Sequence, residues 1–564
     1  MSRNSKILIA IMALAGILRL WGLGSAELLF DESFYSFRSI GWLDYLESPY
    51  QTTPVQWFIP SEVEGLMDGE SNRTMSGTNM PWWLKLSFHD HPPLFFLIQK
   101  VFFNLFGDSL FISRLPSAIF GLGFVYLIYL IGKKLFKKES AGLISAFIAA
   151  ISFAHISLSR LAMLESVLFF FILLNIYYFL KLLEMDSASS PQAKKYWWQF
   201  GLTFGMAMLT KYIAVFLIPT YLVFLVIKKV QPSWKVEPSR ISWRSICLAI
   251  VLAIIIFSPV IVYNIYSYKT FGHFDLQLAY LLKQDTPWPI EAFGGKTQDP
   301  FSKIGENLPA VFSMPFLVIV LISLVFATIK QRKELSLVLI SFVFIILLLT
   351  QTGSAIRFVS LLVIPAIFFI TAFILFLWQK PYRFLSVGLI FTAIICSELY
   401  FFAFSKPDYG VVKLDKYFDS VFNGNRPENL PTHLNPYLNK VIQDYSQKYP
   451  ATLAPTGIIY DDNIALQAQL WLFSRRQYYH GIPVMTASNF ENIIEKNGVS
   501  AFKDFTLYFV KAEEASPLKP TISTEYAKNI EALLQKNNQK PVITITGYGT
   551  NAIPAFKVYK FSLN

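Results

Sequence analysis

The stretch LLFDESFYSFRSI, residues 28–40, opens a long polar and aromatic loop that closes with SFHDHPPL, residues 87–94. One apolar segment, residues 7–23, precedes this loop, and about ten more apolar segments follow it. Asp31 and Glu32 therefore lie just after the first apolar segment. Carboxylates and histidines beside a membrane surface indicate chemistry, although an N-terminal helix cap would explain Asp31 equally well.

The composition indicates a polytopic membrane protein. Of the 564 residues, 54% are hydrophobic and only 15% are charged, whereas soluble domains carry about 25% charged residues. The net charge of +12 does not indicate nucleic-acid binding, because much of the excess lies in short loops between apolar segments. The two cysteines, Cys247 and Cys396, lie in apolar runs, which excludes a disulfide framework or a zinc-type cysteine cluster.

The apolar segments predict about eleven membrane-spanning helices. A crossing needs about 20 apolar residues. The predicted spans are 6–24, 112–132, 141–159, 162–184, 197–210, 212–229, 245–266, 307–329, 335–351, 357–378 and 383–404. Residues 94–106 are too short and too polar to cross, so they predict a helix lying in the membrane interface.

The distribution of lysine and arginine predicts the orientation of these spans. If the N-terminus is cytoplasmic, the basic loops at 133–138, 181–195, 228–244, 330–333 and 380–383 all lie inside. The short outer turns hold far fewer basic residues, which is the positive-inside pattern. An odd number of crossings then puts the C-terminus outside.

Residues 405–564 are more polar and predict an extracytoplasmic α/β domain of about 150 residues. Four segments read as strands and two as helices. The strands are TGIIYDD, FTLYFVK, PVITITGYG and AFKVYKFS, and the helices are NIALQAQLWLFSR and STEYAKNIEALLQKN. The predicted division is a transmembrane catalytic module, 1–404, with an outer catalytic loop at 25–111, followed by this domain.

Unusual polar residues converge on the predicted outer boundary: Asp31, Glu32, His89, Asp90, His91, Arg160, Glu165, Lys211, His273 and Arg357. Each has a structural alternative. Lys211 and Arg357 would reach the interface as long side chains, Glu165 would cap a span, and the histidines would be solvated. As a set, the carboxylates can accept protons and the cations can hold an anionic head group. This mixture favours group transfer from a lipid phosphate over proton-coupled transport, which needs charges near the bilayer midplane.

Several ordered segments resemble one enzyme family. HPPLFFLIQKVFFNLFGDSLFISRLPSAIFG (91–121), SRLAMLESVLFFFILL (159–174) and GLTFGMAMLTKY (201–212) are similar to segments of the polyprenyl-phosphate-sugar-dependent membrane glycosyltransferases. That family includes protein O-mannosyltransferases and lipid A aminoarabinose transferases. Arg357, Phe358 and Pro365 continue the match. The resemblance implies a GT-C fold and a sugar donor linked to undecaprenyl or dolichyl phosphate.

The resemblance also implies roles for individual residues. Asp31, with Glu32 beside it, takes the place of the catalytic carboxylate, and a single displacement by an activated acceptor hydroxyl would invert the anomeric centre. Lys211, His91 and Arg357 are candidates for binding the donor phosphate.

Two further acidic residues occupy matched positions. Glu165 stands where relatives usually have Asp, and we expect it in the substrate site. Asp90 stands where some relatives have a metal-binding acid. One Asp beside a histidine does not make a metal site, so a divalent metal ion remains open and no other cofactor is expected.

The sequence thus predicts a glycosyltransferase of the cell inner membrane that acts on its extracytoplasmic face. The expected partners are a polyprenyl-phosphate-sugar donor, a lipid, glycan or protein acceptor, and membrane lipids, but no nucleic acid. Two alternatives remain: a protein O-mannosyltransferase in particular, or a flippase that binds carrier lipids or glycans without chemistry.

Overall fold

The fold is that of a computed structural model of the chain. It describes residues 2–44, 80–185, 190–230, 243–286, 300–353, 355–404, 408–433, 435–513, 525–547 and 553–563. The chain forms two compact units. The first contains Met1–Leu23, Trp82–Ile98 and Leu110–Ser405, and the second contains Gly24–Pro81, Gln99–Ser109 and Lys406–Asn564. The predicted loop at 25–111 therefore divides between the units instead of staying with the spans.

The described part of the first unit is helical. Its helices are α1 (Arg3–Leu20), α4 (Leu110–Phe136), α5 (Glu139–Ile151), α6 (Phe153–Ser159), α7 (Leu164–Leu183), α8 (Pro191–Thr210), α9 (Leu217–Val230), α10 (Trp243–Phe271), α11 (Leu276–Leu281), α12 (Pro300–Phe312), α13 (Met314–Lys330), α14 (Ser336–Thr352), α15 (Ile356–Val359), α16 (Val363–Leu377) and α17 (Arg383–Phe404). A 3₁₀ segment, Tyr212–Phe216, joins α8 to α9. Helix α3 (Leu94–Phe106) begins in the first unit and ends in the second.

Each predicted span contains a helix, but not every helix satisfies the requirements for a crossing. Five described helices are long and apolar enough to cross a membrane, or seven if each of two sharply bent pairs is one crossing. The protein is therefore a multi-pass membrane protein, while the number of about eleven crossings stays a prediction. Helix α3 has only 13 residues, in agreement with the expectation that it does not cross.

Two predicted spans are broken rather than continuous. Helices α5 and α6 meet at 62°, and α12 and α13 meet at 111°. At the first break, Ser152 has an extended backbone, and at the second, Ser313 has φ 55°. Pro315 lies in the first turn of α13, where a missing N–H costs nothing and favours a new helix start.

Close helix packing positions α8, the helix that ends just before Lys211. A Cβ atom added to Gly201 would lie 2.4 Å from the carbonyl oxygen of Ala249 in α10, and one added to Gly205 would lie 2.8 Å from Ile256. Small residues four apart let two membrane helices approach at backbone distance. The α8–α10 contact therefore holds the end of α8 firmly.

The second unit contains a five-stranded mixed sheet. The strands β1 (Thr456–Tyr460), β2 (Val484–Thr486), β3 (Thr506–Ala512), β4 (Ile543–Gly547) and β5 (Ile553–Phe561) lie in the order β2-β1-β3-β5-β4. β2, β1 and β3 are parallel, and β5 is antiparallel to both β3 and β4. The four predicted strands are confirmed. The three-residue β2 was missed because so short a segment shows no alternation.

The second unit also contains helices α2 (Phe30–Gly41), α18 (Val411–Phe422), α19 (Pro436–Ser446), α20 (Leu466–Gln469), α21 (Arg475–His480), α22 (Ala487–Asn497) and α23 (Glu525–Lys536). The predicted helix at 523–537 is α23. The predicted helix at 463–475 is part of a longer helical stretch that contains a π-helical turn, Leu470–Ser474, between α20 and α21. π-turns occur frequently at functional positions.

Candidate active site

A buried ion pair joins two sequence-predicted site residues in the first unit. Lys211 ends α8, and Glu165 lies in the first turn of α7. The Lys211 Nζ atom donates to Glu165 Oε1 at 2.7 Å, and the two residues are 4% and 1% exposed. Neither side chain therefore extends into water, and the expectation that Lys211 only reaches towards the interface is wrong.

A phenylalanine ring brings a second cation to this pair. The Nζ atom of Lys211 lies 4.2 Å from the centroid of the Phe358 ring, and the guanidinium carbon of Arg357 lies 5.0 Å from the same centroid. Cations within about 6 Å of an aromatic face are attracted to it. Lys211, Glu165 and Arg357, far apart in sequence, thus form one cluster around Phe358.

The cluster has spare hydrogen-bonding capacity. The Oε2 atom of Glu165 is buried and has no hydrogen-bond partner among the described residues. An ammonium has three donors, and Glu165 takes one of those of Lys211. Buried polar atoms normally have partners, so this site can accept a ligand that offers both an anionic oxygen and a hydroxyl group.

The segment His89–Asp90–His91 is packed against other parts of the first unit and is not a solvated loop. His89 is 2% exposed, and its Nδ1 atom lies 3.1 Å from the Tyr263 hydroxyl of α10. Its carbonyl oxygen accepts a hydrogen bond from Leu276 N at 2.8 Å. His91 Nδ1 lies 3.1 Å from Asp90 Oδ2. The expectation that these histidines are solvated is wrong for His89, and equally for His273, which is 1% exposed.

Sequence reasoning missed a buried network beside this segment. Asp275 accepts a hydrogen bond from the Tyr212 hydroxyl and another from Asn264 Nδ2 at 2.8 Å. The backbone N–H of Asp275 in turn donates to Asn264 Oδ1 at 2.8 Å. Burial, with a further effect of Asp90, raises the pKa of the Asp275 carboxyl. Because Tyr212 directly follows Lys211, this network also holds the turn that orients Lys211.

The acidic pair of the opening loop lies on α2 in the second unit. Glu32 is fully buried, and its Oε1 atom accepts a hydrogen bond from Leu29 N at 2.8 Å, which closes the first turn of the helix. Asp31 is half-buried in the same turn. The capping role expected for Asp31 is thus filled by Glu32, its neighbour.

The Arg160 side chain binds backbone carbonyl groups at the end of α1. Its guanidinium donates to Trp21 O at 2.7 Å and to Leu18 O at 3.0 Å. Carbonyl groups at a helix C-terminus lack partners within the helix, and Arg160 supplies them at the end of α1. We therefore do not include Arg160 in the site.

The described residues contain no group of three or more His, Cys, Asp or Glu side chains that could hold a metal ion. Asp90 contacts His91, and two such residues fall short of a metal site. The divalent ion at Asp90 stays a prediction, and no step of the reaction is routed through it.

Comparisons with known proteins agree with this picture. Residues 90–263 match the family model described as dolichyl-phosphate-mannose-protein mannosyltransferase. The chain is 26% identical over 242 residues to the putative mannosyltransferase YkcB of Bacillus subtilis, a match that spans 43% of this chain and 31% of that relative. The chain thus spans less than a third of the relative's length.

Solved structures share the fold. ArnT from Cupriavidus metallidurans in the apo state superposes with a TM-score of 0.55 at 13% identity, over 99% of this chain and 98% of that chain. AglB, an archaeal oligosaccharyltransferase from Archaeoglobus fulgidus, superposes with a TM-score of 0.50 at 12% identity, over 90% of this chain and 69% of that one. The resemblance noted in the motifs is confirmed over residues 90–263, and this protein is a multi-pass membrane protein with the GT-C fold that ArnT and AglB share.

Proposed function

We propose that the protein is an integral membrane glycosyltransferase that takes its sugar from a polyprenyl-phosphate-linked donor. The acceptor is a lipid, glycan or protein on the extracytoplasmic face. The matched family model is named for a dolichyl-phosphate-mannose donor, and ArnT has a structure bound to undecaprenyl phosphate. These likenesses support a lipid-phosphate donor.

The observation that carries the proposal is the cluster around Phe358. Two cations, Lys211 and Arg357, are gathered in a mainly apolar helical unit. Two cations beside one carboxylate provide donors that suit an anionic head group. The donor phosphate would take ammonium and guanidinium hydrogen bonds, which are strong when both partners are charged. Glu165 would then hold Lys211 in place when no donor is bound.

His91 would add a further contact to the donor phosphate. Asp90 lies beside its ring, with 3.1 Å between His91 Nδ1 and Asp90 Oδ2.

Asp31 would act as the general base. It would accept the proton of the acceptor hydroxyl while the acceptor oxygen bonds to the anomeric carbon and the bond from that carbon to the phosphate oxygen breaks. The lipid phosphate leaves with the bonding electron pair, and the anomeric centre is inverted. Glu32, whose carboxylate closes the first turn of α2, would support the helix that carries this base.

The proposed setting is the cell inner membrane with about eleven crossings. The N-terminus would be cytoplasmic and the C-terminal α/β domain extracytoplasmic, as the positive-inside pattern predicts. Both substrates would then meet on the outer face.

Donor turnover tests the proposal. The purified protein in nanodiscs would be given a panel of polyprenyl-phosphate sugars with membrane extract as acceptor, and free polyprenyl phosphate would be measured. Release from one donor supports transfer and identifies the sugar. Translocation of a labelled donor across proteoliposomes without any release would instead establish the flippase alternative. A glycosylated protein among the products would identify a protein O-glycosyltransferase.

A further inference from the structure

Helix α2, which carries Asp31, is held at its C-terminal half by one tyrosine. Tyr479 of α21 is 1% exposed, and its hydroxyl donates to Phe37 O of α2 at 2.7 Å. A Cβ atom added to Gly41 would lie 2.6 Å from Tyr479 Cε1. The ring of Tyr479 also packs on the ring of Phe37, with 5.2 Å between centroids. The last turns of α2 thus rest directly on this side chain.

Helix α21 is itself anchored by buried ion pairs to α18. Arg475 Nη2 and Arg476 Nη2 donate to Asp415 Oδ1 at 2.7 and 2.8 Å. The indole N–H of Trp471 donates to the other oxygen of the same carboxylate at 2.9 Å. Such pairs are strongly directional when all members are buried and satisfied. Tyr479 therefore projects from a fixed helix.

A second anchor ties α21 to the residues just after α3. Asp108 Oδ2 lies 2.7 Å from His480 Nε2 and 3.3 Å from Arg475 Nη1. Although burial alone would raise it, His480 and Arg475 hold the pKa of the Asp108 carboxyl well below its usual range. The Asp108 carboxylate is therefore charged throughout the physiological pH range.

The other side of α2 contacts α3. Ser39 Oγ donates to Gln99 Oε1 at 2.6 Å. Lys100 Nζ donates to Ile40 O at 3.3 Å and to the Tyr445 hydroxyl at 2.9 Å. Together with Tyr479, these contacts fix the rotation of α2 about its own axis within the second unit.

We infer that Tyr479 is a positioning residue for the reaction: it sets the rotation and axial height of α2, and through them the direction of the Asp31 carboxylate. The inference rests on the proposed function, in which Asp31 is the base.

Helix α2 can transmit a shift from Tyr479 to Asp31. Its backbone hydrogen bonds keep it stiff, and Asp31 lies only six residues from Phe37, about 9 Å along the axis. A base displaced by 1 Å can cost about a hundredfold in rate. The C-terminal domain therefore contributes to catalysis by aiming the base.

Three variants test this role through donor turnover, donor KM and unfolding temperature. Tyr479→Phe keeps the ring and loses only the hydrogen bond to Phe37 O. We expect its kcat to fall about tenfold with donor KM unchanged, since loss of this hydrogen bond lets the base shift by part of the ~1 Å that costs about a hundredfold in rate. Gly41→Ala forces the helix away from the ring, and we expect a larger loss, about a hundredfold.

The double variant Gly41→Ala/Tyr479→Leu makes room for the new methyl group, so it should be more active than Gly41→Ala alone. The matched control is Tyr559→Phe, which removes a tyrosine hydroxyl bonded to Glu531 Oε1 at 2.6 Å in the same unit. The control should lower the unfolding temperature to a similar extent and leave kcat unchanged.

The inference is overturned if Tyr479→Phe and Gly41→Ala keep the kcat of the wild type, or if the control loses as much kcat as they do. If the proposed function is wrong and Asp31 is not the base, a different result is expected: Asp31→Asn would keep its turnover, whatever the Tyr479 variants do.

Discussion

Under the proposed function, the Lys211–Glu165 pair would have two separable roles, one in stability and one in binding the donor. Neutralising one member of a buried pair leaves the other charge without compensation, which costs about 3–5 kcal/mol, whereas removing both charges is often nearly neutral. The unfolding temperature therefore reports on the ion pair, and the double variant separates this effect from the loss of the Lys211 ammonium group.

We predict that Glu165→Gln lowers the unfolding temperature strongly and that Lys211→Met/Glu165→Gln recovers most of the loss. Turnover of the lipid-phosphate donor should be lost in both Lys211→Met and the double variant, because the donor phosphate loses its ammonium partner. Unfolding curves and release of polyprenyl phosphate measure the two effects.

The matched control is Lys303→Met/Glu306→Gln, an exposed pair with 2.8 Å between Nζ and Oε2. Exposed pairs contribute about 0–1 kcal/mol, so this variant should behave as wild type. If Lys211→Met turned over donor normally, Lys211 would have a purely structural role.

At this scale, sequence motifs could identify Lys211, Glu165 and Arg357 but not their contacts. Phe358 joins the two cations because α15 and the end of α8 meet in space, and no spacing along the chain shows this.

Asp275 was missed because its partners, Tyr212 and Asn264, lie 63 and 11 residues away in the sequence. A lone aspartate in the segment FDLQ reads only as a helix cap.

At the scale of elements, the broken span α5–α6 depends on a buried arginine from another helix. Arg19 of α1 is fully buried and donates to Ala149 O at 3.2 Å and Ala150 O at 3.1 Å. These carbonyl groups immediately precede the break at Ser152 and so lack their usual helical partners. Within a membrane, an unsatisfied carbonyl group has no water to replace it.

We predict that Arg19→Met lowers the unfolding temperature in detergent by more than any exposed substitution on α1, since each orphaned carbonyl costs about 1–3 kcal/mol. The control is Arg3→Met at the exposed start of the same helix. Equal unfolding temperatures for the two variants would show that the break is satisfied in some other way.

Helix α3 provides a pH-dependent test of the packing around α2. Burial, with a further effect of Lys448, lowers the pKa of Lys100 from 10.5 to about 8. Between these values the folded protein has released a proton that the unfolded chain still holds. The free energy of unfolding therefore rises with pH across this window.

We predict that the stability of the wild type increases relative to Lys100→Met as the pH is raised from about 8 to about 10.5. Unfolding temperatures of the two proteins at several pH values within this window measure the difference. A difference that stays constant or shrinks would show that Lys100 keeps an ordinary lysine pKa.

At the scale of the whole molecule, hydropathy and charge predicted the class of fold well. The helical membrane part and four of the five strands could be predicted from the spacing of apolar residues and the length of the apolar segments. The two helix breaks were not predicted, because apolar composition continues through Ser152 and Ser313 and hides the single local signal, Pro315 at the start of α13. The inclusion of α2 and residues 99–109 in the second unit also depends on tertiary contacts, such as that of Tyr479, that no local pattern contains.

The predicted topology is testable by labelling. In a background without Cys247 and Cys396, Lys536→Cys should react with a membrane-impermeant maleimide on intact cells, whereas Lys138→Cys should react only after the membrane is opened. Both lysines are exposed. The reverse pattern would contradict the positive-inside orientation and place the C-terminal domain in the cytoplasm.

The most direct test of the central claim compares wild type and Asp31→Asn for release of free polyprenyl phosphate from the donor, with donor binding measured on the same samples. Asp504→Asn, an exposed carboxylate of the second unit, is the matched control. We predict that Asp31→Asn binds donor as the wild type does and loses turnover by about 10²–10⁴-fold, the usual contribution of a general base, while the control turns over normally. Full turnover in Asp31→Asn would contradict the account, because no base would then be needed at that position.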